Sequence, residues 1–473
     1  MKLSKLQLSL LLTIYIAAVF LGIYNHEPWR DEAQAWLLAR DMSLFQLFHT
    51  LPSEGHPPLW YLLIMPMAKA GLPYISQNYL DALIMAGAMY LLLFRSELPV
   101  LLKLLLPFSY YMFYEYAEIA RNYCLIAFFL ALIISLYPRR FERTNSIFFA
   151  LAVVGLFNSH VLIFAFACGL ILLYVWDMKQ GRHYNKHTFI ALAIMCIGGL
   201  YLLPWLGSAH IIQYYQVQAD DPAKNIMSSI THALLISGDS SIALLILAVL
   251  SLLLAYRVKP LLLLVFGLTG ALYILGFKYT VPGLRHDGII FLVLLGSYAL
   301  AMYYKPANEP KILKLQYGQY LLVAIMAFQL VASASAYSSD INNSFSYSAD
   351  AADYLKQNSL DTGIIVGSQA WAVSALAPYL PGKKIYYAEC QRYGTYYIYD
   401  SCFMNNKWAY PPGYSIHIAH DNFKDSLSRL VFVFNNPVSD EQARYLELLY
   451  SSPDKPIRSD EAYYIYKFRN NVQ

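Results

Sequence analysis

The chain has 473 residues, of which 58% are hydrophobic and only 14% are charged. Its mean hydropathy is +0.41. A soluble domain carries about 25% charged residues, so this composition excludes a wholly soluble protein. The net charge of +4 is mild and gives no indication of a nucleic-acid partner.

Apolar stretches recur along the chain from Leu6 to Ala336. A bilayer core of about 30 Å requires about 20 helical residues, so we predict a polytopic α-helical membrane protein. The first stretch, Leu6 to Ile23, has no small-x-small cleavage site after it, so we expect a retained helix rather than a signal peptide.

The connections rich in Lys and Arg indicate which side of the membrane each loop occupies. They are the segments 138–143, 177–187, 256–260 and 303–314. If these face the cytoplasm together with the N-terminus, the chain makes about 11 crossings and its C-terminus lies outside.

One region does not fit a simple alternation of outward and inward membrane crossings. Three apolar pieces, 59–73, 76–94 and 98–114, lie between the first outer loop and the next outer turn, so an even number must cross. The 59–73 piece is short and contains Pro66 and Lys69. We therefore predict that it is a partial helix and that the other two pieces cross.

Charged and His residues cluster in the predicted outer segments. In RDEAQAWLLARD (30–41), Asp31 and Glu32 begin a pattern typical of an amphipathic helix at the membrane interface. They can simply cap that helix. Alternatively, one carboxylate is a base that takes a proton from an acceptor, or a ligand for a metal ion.

Two further outer motifs contain His. In EGHPPLWY (54–61), His56 precedes two prolines, and it is either incidental to a rigid turn or a donor to a phosphate or sugar hydroxyl. In GLRHDG (283–288), Arg285 and His286 form a compact cationic spot. Alternatively, Arg285 only extends its charged group to the polar membrane interface.

A third outer turn, YEYAEIARNY (114–123), places Glu115, Glu118 and Arg121 at intervals of three, which predicts a shared helical face. Glu118 and Arg121 can form a surface ion pair, or Arg121 can bind phosphate oxygens in pairs. Together the outer motifs combine one acidic group with cations at separate membrane boundaries. That combination suits a donor whose leaving group is a lipid phosphate.

No Walker loop and no GxGxxG after a strand occurs, so we find no nucleotide site. With these residues identified, the sequence resembles the GT-C glycosyltransferases. The group includes protein O-mannosyltransferases, the lipid A aminoarabinose transferase and rhizobial lipopolysaccharide-core galacturonosyltransferases. The resemblance covers roughly residues 1–340 and rests on a few short motifs. They are Asp31-Glu32, His56-Pro57-Pro58-Leu59, Ala120-Arg121-Asn122-Tyr123 and Arg285-His286-Asp287-Gly288.

The resemblance implies a bacterial inner-membrane enzyme of the cell envelope that uses a polyprenyl-phosphate-linked sugar and inverts the anomeric carbon. Asp31, with Glu32 beside it, would be catalytic. Residues for the donor phosphate and sugar would be His56, Arg121, Tyr123, Arg285 and His286. The acceptor would be a glycan, lipid or protein.

This sequence departs from the pattern of some relatives, which have a second acidic residue where Asn122 stands. Glu118 or Glu115 is then the candidate second acid. A divalent metal ion is an open alternative, and no other cofactor is expected.

The composition changes after Ala336, so we divide the chain into a transmembrane catalytic domain (1–336, with a first outer loop at 24–58) and an outer, periplasmic or extracellular domain (337–473). Alternating helix and strand patterns predict a small α/β domain. Helices are expected in SADAADYLKQNS, AWAVSALAPYL and SDEQARYLELLYSS, and strands in GIIVGS, KKIYYAE, TYYIYD, RLVFVFNN and AYYIYKF.

Two further predictions concern the outer domain. Cys390 and Cys402 both lie in the outer domain, where oxidation is favoured, so we predict a disulfide between them. The Tyr-rich stretch ECQRYGTYYIYD (389–400) either packs as an alternating strand or contacts an acceptor glycan.

Two other functions fit parts of the sequence. A transporter or flippase of a lipid-linked or amphiphilic substrate would place ionisable groups in mid-helix, where Lys103 is the chief example. A membrane-anchored assembly protein would act through its tail alone and would be indifferent to Asp31.

Overall fold

The fold was analysed in a computed structural model, which describes residues 3–203, 221–277, 283–306, 310–406 and 412–469. The motif GLRHDG (283–288) is therefore described from its first residue onward.

The described residues are mainly helical as far as residue 357. In chain order the helices are α1 (Lys5–Asn25), α2 (Arg30–Asp41), α3 (Leu44–Glu54), α4 (Leu59–Lys69), α5 (Ser76–Arg95), α6 (Val100–Leu105), α7 (Tyr123–Leu136), α8 (Arg143–Phe157), α9 (Phe164–Gln180), α10 (Lys186–Leu200), α11 (Pro222–Leu235), α12 (Ser240–Leu254), α13 (Val258–Phe277), α14 (Leu284–Ala301), α15 (Gln316–Asn342) and α16 (Ser348–Gln357). Shorter helices in the tail are α17 (Ala370–Val373), α18 (Ser401–Asn406) and α19 (Pro412–Asn422).

Several of these helices have the length and composition of membrane spans. Among the described residues six are long and apolar enough, or seven if the bent pair α11 and α12 counts as one span. Four more apolar helices of 10–17 residues accompany them: Leu59–Lys69, Tyr123–Arg139, Arg143–Phe157 and Lys186–Leu200. The chain is thus a polytopic helical membrane protein, as predicted.

The region between α3 and α7 differs from the prediction at one segment. The 59–73 piece does form a short helix, α4, of 11 residues. The 98–114 piece, however, is not one spanning helix. It consists of α6, a 3₁₀ turn at Leu106–Phe108 and a π-helical turn at Tyr111–Glu115. Pro107 accounts for the first break, because its ring removes a backbone donor and clashes with the preceding turn.

The chain divides into two compact units. The helical unit comprises Met1–Leu21, Gly55–Trp60 and Asn78–Tyr337. The sheet unit comprises Gly22–Glu54, Tyr61–Gln77 and Ser338–Gln473. The first loop, which we assigned to the transmembrane domain, is therefore grouped with the tail.

Helix α14 is central to the helical unit, where it packs against α7, α11 and α13. Every residue from Asp287 to Ala301 is buried. Elsewhere in this unit, Lys103 donates from Nζ to the carbonyls of Leu93 (2.8 Å) and Ser96 (2.9 Å) at the end of α5. The ammonium group of Lys103 therefore caps the C-terminal end of α5, where the last backbone carbonyls have no hydrogen-bond donor within the helix.

The sheet unit contains a mixed six-stranded sheet in the order β3-β2-β1-β4-β6-β5. Its strands are β1 (Ile364–Gly367), β2 (Ile385–Tyr387), β3 (Arg392–Gly394), β4 (Leu430–Phe434), β5 (Leu446–Ser451) and β6 (Tyr464–Phe468). β1 pairs in parallel with β2 and β4, and the three remaining pairings are antiparallel. All five residues of β4 are buried, as expected of a central strand.

Most tail elements match the sequence pattern, and two do not. The stretch TYYIYD lies beyond β3 and forms no strand, and SDEQARYLELLYSS forms a short 3₁₀ turn followed by β5 instead of a helix. Cys390 and Cys402 are joined by a disulfide, with their Cα atoms 5.9 Å apart.

Candidate functional site

Five of the residues predicted to bind a donor phosphate or sugar lie in the helical unit, and the structure brings them together. The Nη2 atom of Arg121 lies 3.2 Å from the Nε2 atom of His56. These residues come from the start of α7 and the turn before α4, so two separate membrane-boundary segments meet here. The backbone N–H of Arg121 donates to Asp81 on α5 at 3.2 Å, which fixes the turn.

His160, in the turn between α8 and α9, lies at the middle of this group. Its ring centroid is 5.2 Å from that of His56 and 5.1 Å from that of Tyr123. Its Nδ1 atom accepts the backbone N–H of Leu162 at 3.1 Å. None of the motifs identified in the sequence contains His160.

The ring of His160 is neutral. Burial, and then the charges of Arg121 and Arg285, lower its pKa to about 3. Because Nδ1 accepts a hydrogen bond, the ring hydrogen is on Nε2. This N–H is buried and has no hydrogen-bond partner among the described residues. A buried donor without a partner costs about 1–3 kcal/mol, so it favours any ligand that offers an acceptor.

Tyrosine rings connect this group to α14. Tyr123 stacks on Tyr116 with centroids 5.2 Å apart, and it meets His286 edge-on at 6.0 Å. The hydroxyl of Tyr116 donates to the carbonyl of Arg285 at 2.6 Å. We call His56, Arg121, His160, Arg285 and His286 the cation cluster. His160 is fully buried and the other four are half-buried.

Gly288 is required for this close packing. A Cβ atom at this position would collide with the ring of Tyr111 and the hydroxyl of Tyr116. The final glycine of the RHDG motif therefore lets two tyrosines approach the beginning of α14, and that approach holds Arg285 in place.

Asn122 has a structural role that an acid could not fill. Its side-chain amide donates to the carbonyl of Ser159 at 2.5 Å. The bond fastens the turn that carries Arg121 to the turn that carries His160. A carboxylate accepts but cannot donate, which explains physically why this chain has Asn here.

The candidate second acids do not share a helical face with Arg121, because residues 111–123 are a π-helical turn followed by irregular backbone. That prediction is wrong. Glu115 is buried and accepts the hydroxyl of Tyr110 at 2.8 Å. Glu118 is fully buried, and its backbone carbonyl accepts from Asn78 at 3.0 Å.

The sequence analysis also gave no role to a His–Asp pair next to the cation cluster. His232 on α11 lies with Nδ1 2.8 Å from Oδ2 of Asp287, whose side chain is fully buried. The hydroxyl of Tyr111 donates to the backbone carbonyl of His232 at 2.8 Å. Asp287 and Asp81 are carboxylates on apolar helices, and that signal alone marks both positions as sites of interest.

Asp31 and Glu32 lie in the sheet unit, and their environments differ. The Glu32 carboxylate is completely buried. It accepts the backbone N–H of Trp29 at 3.1 Å and lies 3.2 Å from Nε2 of His26. The bond to Trp29 is half of a capping box, so Glu32 fastens the N-terminus of α2.

Asp31 retains partial access to solvent, with 17% of its side chain exposed, and lies 3.7 Å from Nε of Arg30. Arg30 is itself held firmly. Its guanidinium lies between the rings of Trp29 and Trp371, at 5.1 and 4.4 Å from their centroids, and it pairs with Asp460. The carboxylate of Asp31 is therefore presented from a rigid helix start.

The rest of this network ties the first loop to the tail. Nδ1 of His26 lies 2.8 Å from Asp340, and the carboxylate of Glu27 accepts the N–H of Ala349 at 2.8 Å. Burial raises the pKa of Glu27 to about 8, and it raises that of Glu461 to about 7 although the charge of Arg30 opposes this. Burial disfavours the charged ring of His26, but Asp340 and Glu32 outweigh it and raise the pKa of His26 well above its usual range.

The two groups have different chemical capacities. The cation cluster offers two guanidinium groups, three imidazoles and an unpartnered N–H, which suits an oxyanion of the phosphate type. The network of the sheet unit contains counter-ions for His26 and Arg30, and the Asp31 carboxylate in it is partly accessible.

No known family model matches the sequence, and no curated protein matches it. Among solved structures, the chain is similar to ArnT from Cupriavidus metallidurans, whose crystal structure was determined with undecaprenyl phosphate bound. The two chains are 12% identical, the match covers 98% of each, and the TM-score is 0.55. The chain therefore shares its fold with this protein, and the predicted fold class, a polytopic helical membrane protein with a C-terminal α/β domain, is confirmed.

Proposed function

We propose that this protein is an integral-membrane glycosyltransferase. It transfers a sugar from a polyprenyl-phosphate donor to an acceptor outside the cytoplasm. The observation that carries the proposal is the cation cluster, in which the charges of Arg121 and Arg285 act on His160, whose buried N–H has no hydrogen-bond partner among the described residues. The GT-C-like fold, shared with a protein that binds undecaprenyl phosphate, supports the same conclusion.

In this mechanism the cation cluster holds the donor phosphate through its oxygens. An acceptor hydroxyl attacks the anomeric carbon from the opposite face, so the configuration inverts. The bond between that carbon and the phosphate oxygen breaks, and the electron pair leaves with the polyprenyl phosphate. Arg121, Arg285 and the N–H of His160 stabilise the charge that develops on the leaving group.

Asp31 is the proposed base that takes the proton of the acceptor hydroxyl. Its partial exposure and its position on a rigid helix start support this role. Glu32 is fully buried and accepts the backbone N–H of Trp29, so we assign it to structure and not to proton transfer.

The decisive test compares envelope glycans by mass spectrometry in a deletion strain that carries wild type, Asp31→Asn or Asp440→Asn at equal membrane abundance. Asp440 is an exposed aspartate of the same unit and serves as the matched control. We expect wild type and Asp440→Asn to restore a sugar increment, and Asp31→Asn to lower it by about 100-fold or more.

A second variant separates catalysis from folding. Glu32→Gln should lower the melting temperature, whereas Asp31→Asn should leave it unchanged. If Asp31→Asn restores the full sugar increment, the carboxylate is only part of a helix start. The transporter interpretation is then favoured, since moving a lipid-linked substrate needs no base.

A further inference from the structure

A cleft of about 650 Å³ lies in the sheet unit, between the C-terminal end of α2 and residues 381–398. The residues of its wall that matter here are Arg40, Lys383, Lys384, Arg392, Tyr393 and Tyr396. This volume is in the range of small-molecule sites, which is about 300–1,000 Å³. The cleft includes part of the Tyr-rich stretch whose role the sequence left open.

The wall of the cleft carries four cations and a single carboxylate, Asp41, and one of the cations, Arg392, also pairs with Asp400 beside the wall. Both Arg40 and Asp41 are fixed, because Nε and Nη2 of Arg40 donate to the two Asp41 oxygens at 2.7 and 2.9 Å. Lys383 lies 3.5 Å from Asp361, while the head of Lys384 is exposed. A concave surface with this balance concentrates anions.

The cleft also offers an aromatic platform. Tyr393 exposes 49% of its surface. Its ring is held edge-on by Tyr386 at 5.2 Å and by Phe423 at 6.4 Å, so its orientation is fixed. Rigid tyrosines give a large contact area at low entropic cost and combine an apolar face with a hydroxyl. Sugar rings, which have apolar faces edged with hydroxyls, fit such a surface.

We propose that this cleft binds an anionic saccharide, a sugar chain that carries phosphate or uronate groups, and that it is an acceptor-binding site. Its use for the acceptor rests on the proposed glycosyltransferase function. Lys383 and Lys384 contact the anionic groups, Tyr393 stacks on a sugar ring, and Arg40 with Asp41 orders the neighbouring wall.

The test measures binding to the purified full-length protein in nanodiscs, without any donor. The probes are trigalacturonate, a phosphorylated lipopolysaccharide core oligosaccharide, maltotriose as a neutral saccharide, and glycerol phosphate as a lipid headgroup. We expect both anionic saccharides to bind at least ten-fold more tightly than maltotriose and to weaken as salt rises.

Variants localise the binding. Lys383→Ser with Lys384→Ser should weaken both anionic saccharides at least ten-fold, and Tyr393→Ala should weaken them several-fold. The matched control, Lys356→Ser with Lys424→Ser, removes two exposed charges of the same unit elsewhere and should change nothing.

Three results would overturn the proposal. These are equal affinity for maltotriose, an equal loss in the control variant, and glycerol phosphate binding as tightly as the saccharides, which would indicate a lipid headgroup site. The proposed function fails separately. If Asp31→Asn keeps full sugar transfer while the saccharides still bind here, the cleft stands and the catalytic assignment falls.

Discussion

The two charged networks of this molecule differ in how their charges are balanced. In the network around Asp31, His26 lies between Glu32 and Asp340, and Arg30 pairs with Asp460. In the cation cluster of the helical unit, the guanidinium of Arg121 meets an imidazole.

Desolvating a charge costs several kcal/mol unless a partner compensates for it. The first network contains its counter-ions within the fold, so its charges hold the structure together. The second contains the buried N–H of His160, which has no hydrogen-bond partner among the described residues, so it is suited to a ligand that offers an acceptor.

The largest effect should come from removing the guanidinium groups of the cation cluster. Arg121→Gln with Arg285→Gln removes two charge-assisted contacts, so the affinity for undecaprenyl phosphate should fall about 100-fold. Native mass spectrometry of the purified protein measures this. Arg139→Gln is the control, because 73% of that side chain is exposed and its partner Glu142 is 4.0 Å away. Unchanged affinity in the double variant would place the phosphate elsewhere.

A smaller effect should follow from replacing the neutral histidine. His160→Phe keeps a ring against His56 and Tyr123 but removes the buried N–H donor. Affinity for undecaprenyl phosphate should fall about 10-fold, as for one hydrogen bond to a charged group. His417→Phe, at a largely exposed position, is the control. If both variants bind alike, the N–H does not contact the ligand.

The smallest effect is the pH dependence of the stability of the sheet unit. The folded protein holds the proton of Glu27 up to about pH 8, whereas the unfolded chain loses it near 4.5. Stability from this group therefore falls as pH rises from about 4.5 to about 8. Glu461 acts in the same sense up to about pH 7, and so does His26, whose raised pKa favours the charged ring.

We therefore expect the melting temperature of the sheet unit to be several degrees lower at pH 8.5 than at pH 5.5. Glu27→Gln, which mimics the protonated acid, should remove part of this slope. Asp440→Asn should leave the slope intact. A melting temperature that rises with pH over this window would contradict the balance of charges described here.

Much of the fold follows directly from the sequence. The membrane helices and the α/β tail were predictable because apolar length and alternating patterns are local properties. The segment SDEQARYLELLYSS was not, because its residues favour a helix. In the fold its second half is the edge strand β5, paired with β6 through a bulge near Leu448. Pairing with a neighbouring strand overrides local preference, and a single sequence does not reveal the neighbour.

The residues of the candidate site divide in the same way. His56, Arg121 and Arg285 stood out as charges at membrane boundaries. His160 did not, because a single histidine in a turn belongs to no recognisable sequence motif. Its role can be inferred only from the fold, in which three other segments pack around it. The different roles of Asp31 and Glu32 could not be predicted either. Both are acidic residues in the first turn of one helix, and only their burial distinguishes them.

The grouping of the first loop with the tail has a consequence for biosynthesis. Arg30 and its partner Asp460 are 430 residues apart. A ribosome adding about 5–20 residues per second reaches the second residue about 20–90 s after the first. During that interval Trp29, which is 1% exposed in the finished fold, has yet to meet its tail partners. A nascent chain that stops before β6 would leave this loop without its binding surface and open to quality-control proteases.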